Sequence, residues 1–98
     1  MVRGITIACG GFFGPQGRQV RLPLADPEQN NKIEAFEYED KHITNFEMES
    51  SAVAGLSLLM GHKALTCCMV IANRVAHRAN PDYKNSIDAL IKLVLDRI

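Results

Sequence analysis

Ala64-Leu65-Thr66-Cys67-Cys68-Met69-Val70-Ile71-Ala72 is a continuous apolar run, bounded by His62-Lys63 before it and Asn73-Arg74 after it. A strand buried on both faces has this pattern, and helices must then cover both of its sides. Downstream, Asn80-Pro81 is a cap-then-proline helix start. Tyr83, Ile87, Leu90, Ile91, Val94, Leu95 and Ile98 follow on one face, at steps of three and four. Upstream, the pattern turns helical from Met48, with Ala52, Val53, Leu56, Leu59 and Met60 on a broad face and Gly61 as the stop. Residues 43–46 read as a short extended segment. Asp26-Pro27 opens another helix that runs to Phe36 and is expected to bury Ile33 and Phe36. Residues 4–9, rich in β-branched side chains, read as a strand ending in a glycine cluster. The order is βαβαβα, which predicts an α/β arrangement.

Composition narrows the function classes. The 98 residues carry 11 basic and 11 acidic side chains, are 47% hydrophobic and 22% charged, and so fall in the ordinary globular range. Disorder is excluded by the apolar fraction. A zero net charge leaves no basic stripe for nucleic acid. No apolar run is long enough to span a membrane, and the first residues do not have the pattern of a signal peptide. Cys9, Cys67 and Cys68 make an odd set without CxxC spacing, which fits neither a disulfide framework nor a zinc site. They read as small buried apolar residues of an intracellular, cytoplasmic protein. His42, His62 and His77 show no ligand spacing, so no metal is expected.

Three segments could carry chemistry. Gly10 to Gly17 holds four glycines among eight residues, with Phe12, Phe13, Pro15 and Gln16 between them and Arg18 next. It lacks the Lys-Ser/Thr of a phosphate-cradling loop, and a strand is expected to follow it. An aromatic face, a carboxamide and a guanidinium can stack on a planar heterocycle and bond its edge. The same spacing also fits a surface turn with both phenylalanines in the core. The second segment is Asn45-Phe46-Glu47-Met48-Glu49-Ser50-Ser51. On an extended backbone, Glu47 and Glu49 share a side and could grip vicinal hydroxyls. Thr44 and Glu47 equally fit a capping box, and a glycosidase pair is a remote further reading. The third is Asn73-Arg74, at the carboxyl end of the apolar run, where open α/β sheets gather ligands; an ordinary arginine leaving the sheet fits as well.

Taken in order, Gly11-Phe12-Phe13-Gly14-Pro15-Gln16-Gly17-Arg18, Thr44-Asn45-Phe46-Glu47-Met48-Glu49-Ser50-Ser51 and Val70-Ile71-Ala72-Asn73-Arg74 resemble the uridine phosphorylase branch of the nucleoside phosphorylase family. The resemblance covers nearly the whole chain. It implies a three-layer αβα fold with a central mixed sheet. It also implies phosphorolysis of uridine to uracil and ribose 1-phosphate, with inorganic phosphate as co-substrate and no cofactor. Phe12 would stack on the base, Gln16 would pair with the uracil amide edge, and Arg18 would reach a carbonyl. Glu49 would accept bonds from ribose hydroxyls, Met48 would pack under the sugar, and Glu47 would support this grip. Ile71 and Ala72 would line the base pocket, where relatives often carry a residue larger than Ala72. Arg74 would stand near a carbonyl. Gln16, Arg18 and Arg74 are thus the expected catalytic groups. Purine-specific relatives place Ser-Asp where this chain has Asn73-Arg74.

Family members are longer, and they carry a glycine-rich phosphate loop and phosphate-binding arginines in an N-terminal half. Arg3, Arg21, Arg78 and Arg97 match no such motif. Residues 1–98 therefore resemble the C-terminal portion of a single nucleoside phosphorylase domain, inactive alone, whose relatives assemble as dimers or hexamers. Alternatives are a non-catalytic nucleobase-binding or assembly module, and a purine phosphorylase or nucleosidase relative.

Overall fold

The computed structural model describes residues 1–98 as two units, Met1–Thr66 and Cys67–Ile98. In the first, β1 (Ile5–Ala8) lies parallel to β3 (Lys41–Glu47), and β2 (Glu37–Tyr38) pairs with β3 antiparallel. The sheet order is β1-β3-β2, so β3 is central. β2 and β3 form a tight hairpin, which Glu39 closes at φ 55°. A parallel pair requires a crossover, and the chain supplies one through α1 (Gln29–Ala35), which lies against β3. This unit is α/β with a mixed three-stranded sheet.

The start of α1 follows the Asp-Pro signal, displaced by two residues. Asp26 Oδ1 accepts the Glu28 amide at 3.0 Å and its carbonyl accepts Gln29 at 3.2 Å. Pro27 and Glu28 therefore form a turn ahead of the helix. Lys32, 2.6 Å away, holds the Asp26 carboxyl below the usual carboxylate range. Ile33 is half-buried, but Phe36 lies beyond the helix and is exposed. α2 (Ser50–Leu59) ends as expected at Gly61, whose φ is 73°. The His62 amide donates to Ser57 O and that of Gly61 to Leu58 O, the paired bonds of a Schellman cap.

In the second unit, β4 (Ala72–Asn73) and β5 (Arg78–Ala79) form a small hairpin, followed by α3 (Tyr83–Leu95). Asn80 Oδ1 accepts the Asp82 amide at 3.0 Å, so the Asn-Pro turn leads into the helix. The expected strand over residues 64–72 is not formed. Residues 62–71 carry no regular secondary structure, and strand character is confined to Ala72 and Asn73. A strand's backbone bonds come from a neighbour, and apolar composition does not supply one. The strand expected after the glycine loop is absent too, since residues 18–28 are irregular. The element order is βαββαββα.

Burial is sparse. Cys9 (8% exposed) and Gln16 (4%) are the buried residues, while Leu59 (85%) and Leu65 (87%) are largely open to solvent. Cys9 fits its expected role as a small buried residue, whereas Cys67 is half-buried and Cys68 exposed.

Candidate functional site

The parallel pair decides which loops meet. Ala8 is in register with Glu47, and the next amide, Cys9 N–H, donates to Glu47 O at 2.8 Å. Both strands run the same way, so their carboxyl ends are adjacent. The glycine loop leaves β1, and the Met48-Glu49 turn leaves β3, side by side at that edge. Ligands of open α/β sheets gather at such an edge. The Thr6 hydroxyl donates to Asn45 Oδ1 at 3.0 Å and ties the two strands together just before they diverge.

The glycine loop folds on itself. Residues Gly14–Gln16 make a single 3-10 turn, and Gly17 closes it at φ 69° with its amide on Gly14 O. A β-carbon at Gly17 would meet the Asn30 side chain, so glycine is needed there for both conformation and space. The Gln16 and Arg18 amides both donate to Phe13 O at 3.0 Å. Gln29 Nε2 on α1 donates to Pro15 O at 2.9 Å, and Cys9 Sγ lies 3.7 Å from the same oxygen. Gln16 is buried among these groups, where an amide's hydrogen bonds are strengthened by the low dielectric.

The closed loop carries Arg18 back over Phe12. The guanidinium sits 3.5 Å from the ring centroid, and Nη1 donates to Phe12 O at 2.7 Å. Phe13 stands nearly perpendicular to Phe12, with centroids 5.3 Å apart. Both phenylalanines are exposed rather than tucked into the core. Behind Arg18 lies an open, mainly apolar groove of about 660 Å³, bordered by Phe13, Pro15, Arg18, Val20 and Leu24.

The two glutamates differ in what they do. Glu47 Oε2 accepts the amides of Glu49 (2.9 Å) and Ser50 (2.6 Å), and Oε1 meets the Ser50 hydroxyl. The carboxylate thus satisfies two of the orphan donors at the start of α2. The Ser50 hydroxyl, together with those amides, holds the Glu47 carboxyl below the usual carboxylate range. Thr44 lies inside β3, so the capping box is not formed, and Glu47 caps the following turn instead. Glu49 is exposed at the head of α2, with Oε2 bent back to 3.3 Å from the Met48 amide. Met48 is exposed beside it.

Phe12, Gln16, Arg18, Met48 and Glu49 thus lie on two loops from neighbouring strand ends, with Glu47 closing β3 between them. Ile71, Ala72 and Arg74 belong to the second unit. There the Ile71 carbonyl accepts the Asn80 amide at 2.7 Å, Ala72 faces Ala79 across the hairpin, and Arg74 is half-buried in the turn. Asn73 Oδ1 accepts the Ala76 amide at 2.8 Å, so Asn73 shapes that turn.

Two supporting residues escaped the sequence reading. Ser50 had a visible signal, a hydroxyl beside the start of a helix. Gln29 had none, because its contact joins residues 14 positions apart. No group of three His, Cys, Asp or Glu side chains is arranged to hold a metal, and no helix is long and apolar enough to cross a membrane. Comparison with family models, curated proteins and solved structures finds no significant match to this chain.

Proposed function

We propose that this chain supplies the base and ribose contacts of a uridine phosphorylase-like pentosyltransferase, a cytoplasmic enzyme of pyrimidine salvage with the three-layer αβα phosphorylase fold. The observation that carries the reading is the pairing of β1 with β3. It sets the loop that carries Phe12, the buried Gln16 and Arg18 next to a turn bearing the exposed Glu49 carboxylate. A heterocycle on the first and a sugar on the second is the ligand this combination fits.

Phosphate oxygen attacks C1′, the C1′–N1 bond breaks, and its electron pair leaves with uracil, whose carbonyl oxygens gain negative charge. Gln16 and Arg18 are the donors for that charge. Glu49 accepts bonds from the ribose hydroxyls, Met48 packs under the sugar, and Glu47 holds the turn that presents them. Fixing the sugar in this way favours a conformation close to the oxocarbenium transition state. The assignment of Ile71 and Ala72 to the base pocket and Arg74 to a carbonyl rests on the sequence resemblance alone. No phosphate-binding motif is among these 98 residues, and their role in this reading is binding and not turnover.

Titration of the purified chain with uridine, uracil and inosine tests this. Uridine should bind more tightly than uracil, and inosine more weakly than either. No uracil should be released from uridine in phosphate buffer. Equal or tighter inosine binding would defeat the pyrimidine assignment.

A second reading, an assembly module completed by a separate N-terminal half or by further copies, is favoured by the exposed apolar side chains of α2 and of residues 65–71. Restored phosphorolysis on mixing with such a half supports it, and a monomeric, inert mixture sinks it.

A further inference from the structure

We infer that Arg18 acts as a selective cover on Phe12. In the free chain the guanidinium occupies the aromatic face, and a planar ring gains that face only by displacing it. Rings with in-plane carbonyl oxygens recapture the guanidinium and rings without them do not. This rests on reading the glycine loop as the base site.

The distances make the two occupants exclusive. Arg18 Cζ is 3.5 Å from the Phe12 centroid, which is contact distance. A ring inserted between them needs roughly 7 Å, two layers at the ordinary carbon–carbon separation of about 3.5 Å. The cover is set in place by the backbone. The left-handed Gly17 turns the chain, the Arg18 amide bonds Phe13 O, and Nη1 then reaches Phe12 O at 2.7 Å. The perpendicular Phe13 ring takes another flank of Phe12, which narrows the alternative approaches. Arg18 also has somewhere to go, because it borders the open groove that runs along Val20 and Leu24.

Displacement gives up a cation–π contact and one hydrogen bond at the surface. The cation–π part alone lowers affinity about 2- to 5-fold. A ring without acceptors keeps that loss. A pyrimidinedione offsets it through bonds from the same guanidinium fork to its carbonyl oxygens, of the same charge-assisted kind as the single one given up at Phe12 O and up to two in number. The arginine therefore discriminates before any chemistry, by penalising every aromatic ligand and repaying one class.

The test uses the full chain and NMR. Without ligand, the Arg18 side-chain protons should be shifted upfield by the Phe12 ring current, and Phe12→Leu should abolish the shift. Absence of the shift in the unmodified chain overturns the cover outright. Indole, a planar ring with no carbonyl, should bind Arg18→Ala about 2- to 5-fold more tightly than the unmodified chain. Uracil should bind the variant more weakly, by about 2-fold or more, because the bonds it loses outweigh the cover it no longer has to displace. Indole binding that does not change in Arg18→Ala overturns the inference. If indole gains in the variant while uracil binds neither protein, the uracil reading falls and the cover on Phe12 stands.

Discussion

β1 and residues 64–71 are both short apolar segments, and they end in opposite states. Ile5–Ala8 is hydrogen-bonded along β3, half-buried, and delivers a loop whose closing glycine, arginine and phenylalanine have defined positions. Residues 64–71 have no strand partner, and Leu65, Val70 and Ile71 are exposed. The side chains do not account for the contrast, since the second segment is the more apolar of the two. What differs is whether a partner strand is supplied: β3 supplies one to β1, brought alongside through α1. Order at the candidate site is inherited from that pairing. The glycine loop and the Met48-Glu49 turn are defined because the strands they leave are locked to each other.

The largest effect should come from breaking the pair. Ile43→Pro, inside the central strand at the position facing Ile5, puts a residue without an amide donor into the ladder. It should cost at least about 1–3 kcal/mol, a large share of a marginal domain's stability. Urea unfolding followed by circular dichroism measures it. A midpoint equal to that of the unmodified chain would show that β1 and β3 do not hold the unit together.

Next in size is Gly17→Val, which forces a β-branched residue into the left-handed region against Asn30. A cost of about 1–3 kcal/mol is expected. The upfield Arg18 shift should vanish with it, because the turn that brings the guanidinium over Phe12 is lost.

Glu47 gives a smaller effect, and one that depends on pH. Its carboxyl titrates below the usual range in the folded chain, so its contribution to stability is complete above the unfolded-state pKa. That contribution is lost as pH falls through the lower folded value. Glu47→Gln should reduce stability at neutral pH and flatten its fall into acid. Parallel stability–pH curves for the two proteins would rule out the carboxylate as the cap of α2. Faster amide exchange at Glu49 and Ser50 in the variant is the local counterpart.

The smallest effect belongs to the unpaired segment. Leu65→Ser should change stability by less than about 0.5 kcal/mol, since its side chain is already in water. Amides 64–71 should exchange freely, while those of β1 and β3 are protected. A loss of 2 kcal/mol or more (~2, a core-sized penalty) would mean that the segment is packed in solution, and the contrast with β1 would disappear.

Much of the local structure is legible in the sequence. The Asp26-Pro27 and Asn80-Pro81 turns, the Gly61 stop of α2 and the strand before the glycine cluster all depend on neighbours within a few residues. Such signals are written in short stretches of sequence, and the structure places most of these ends within a residue or two of them. Glu47 and Glu49 were legible as a pair but not in their division of labour. The strand ends at Glu47, and the bend that follows turns its carboxylate onto the head of α2. Spacing by two residues predicts a shared side only while the backbone stays extended.

By itself, the sequence determined residue chemistry and local geometry: where glycine permits a left-handed turn, where proline and asparagine open a helix, and which loop carries an aromatic, an amide and a guanidinium. The tertiary structure alone decided which of those pieces are neighbours. It set the glycine loop beside the Met48-Glu49 turn, laid Arg18 on Phe12, and left residues 62–71 without a strand. The physical reason is that a strand is completed by hydrogen bonds from a distant part of the chain. An apolar run records the demand for burial and does not record whether a partner is there to meet it.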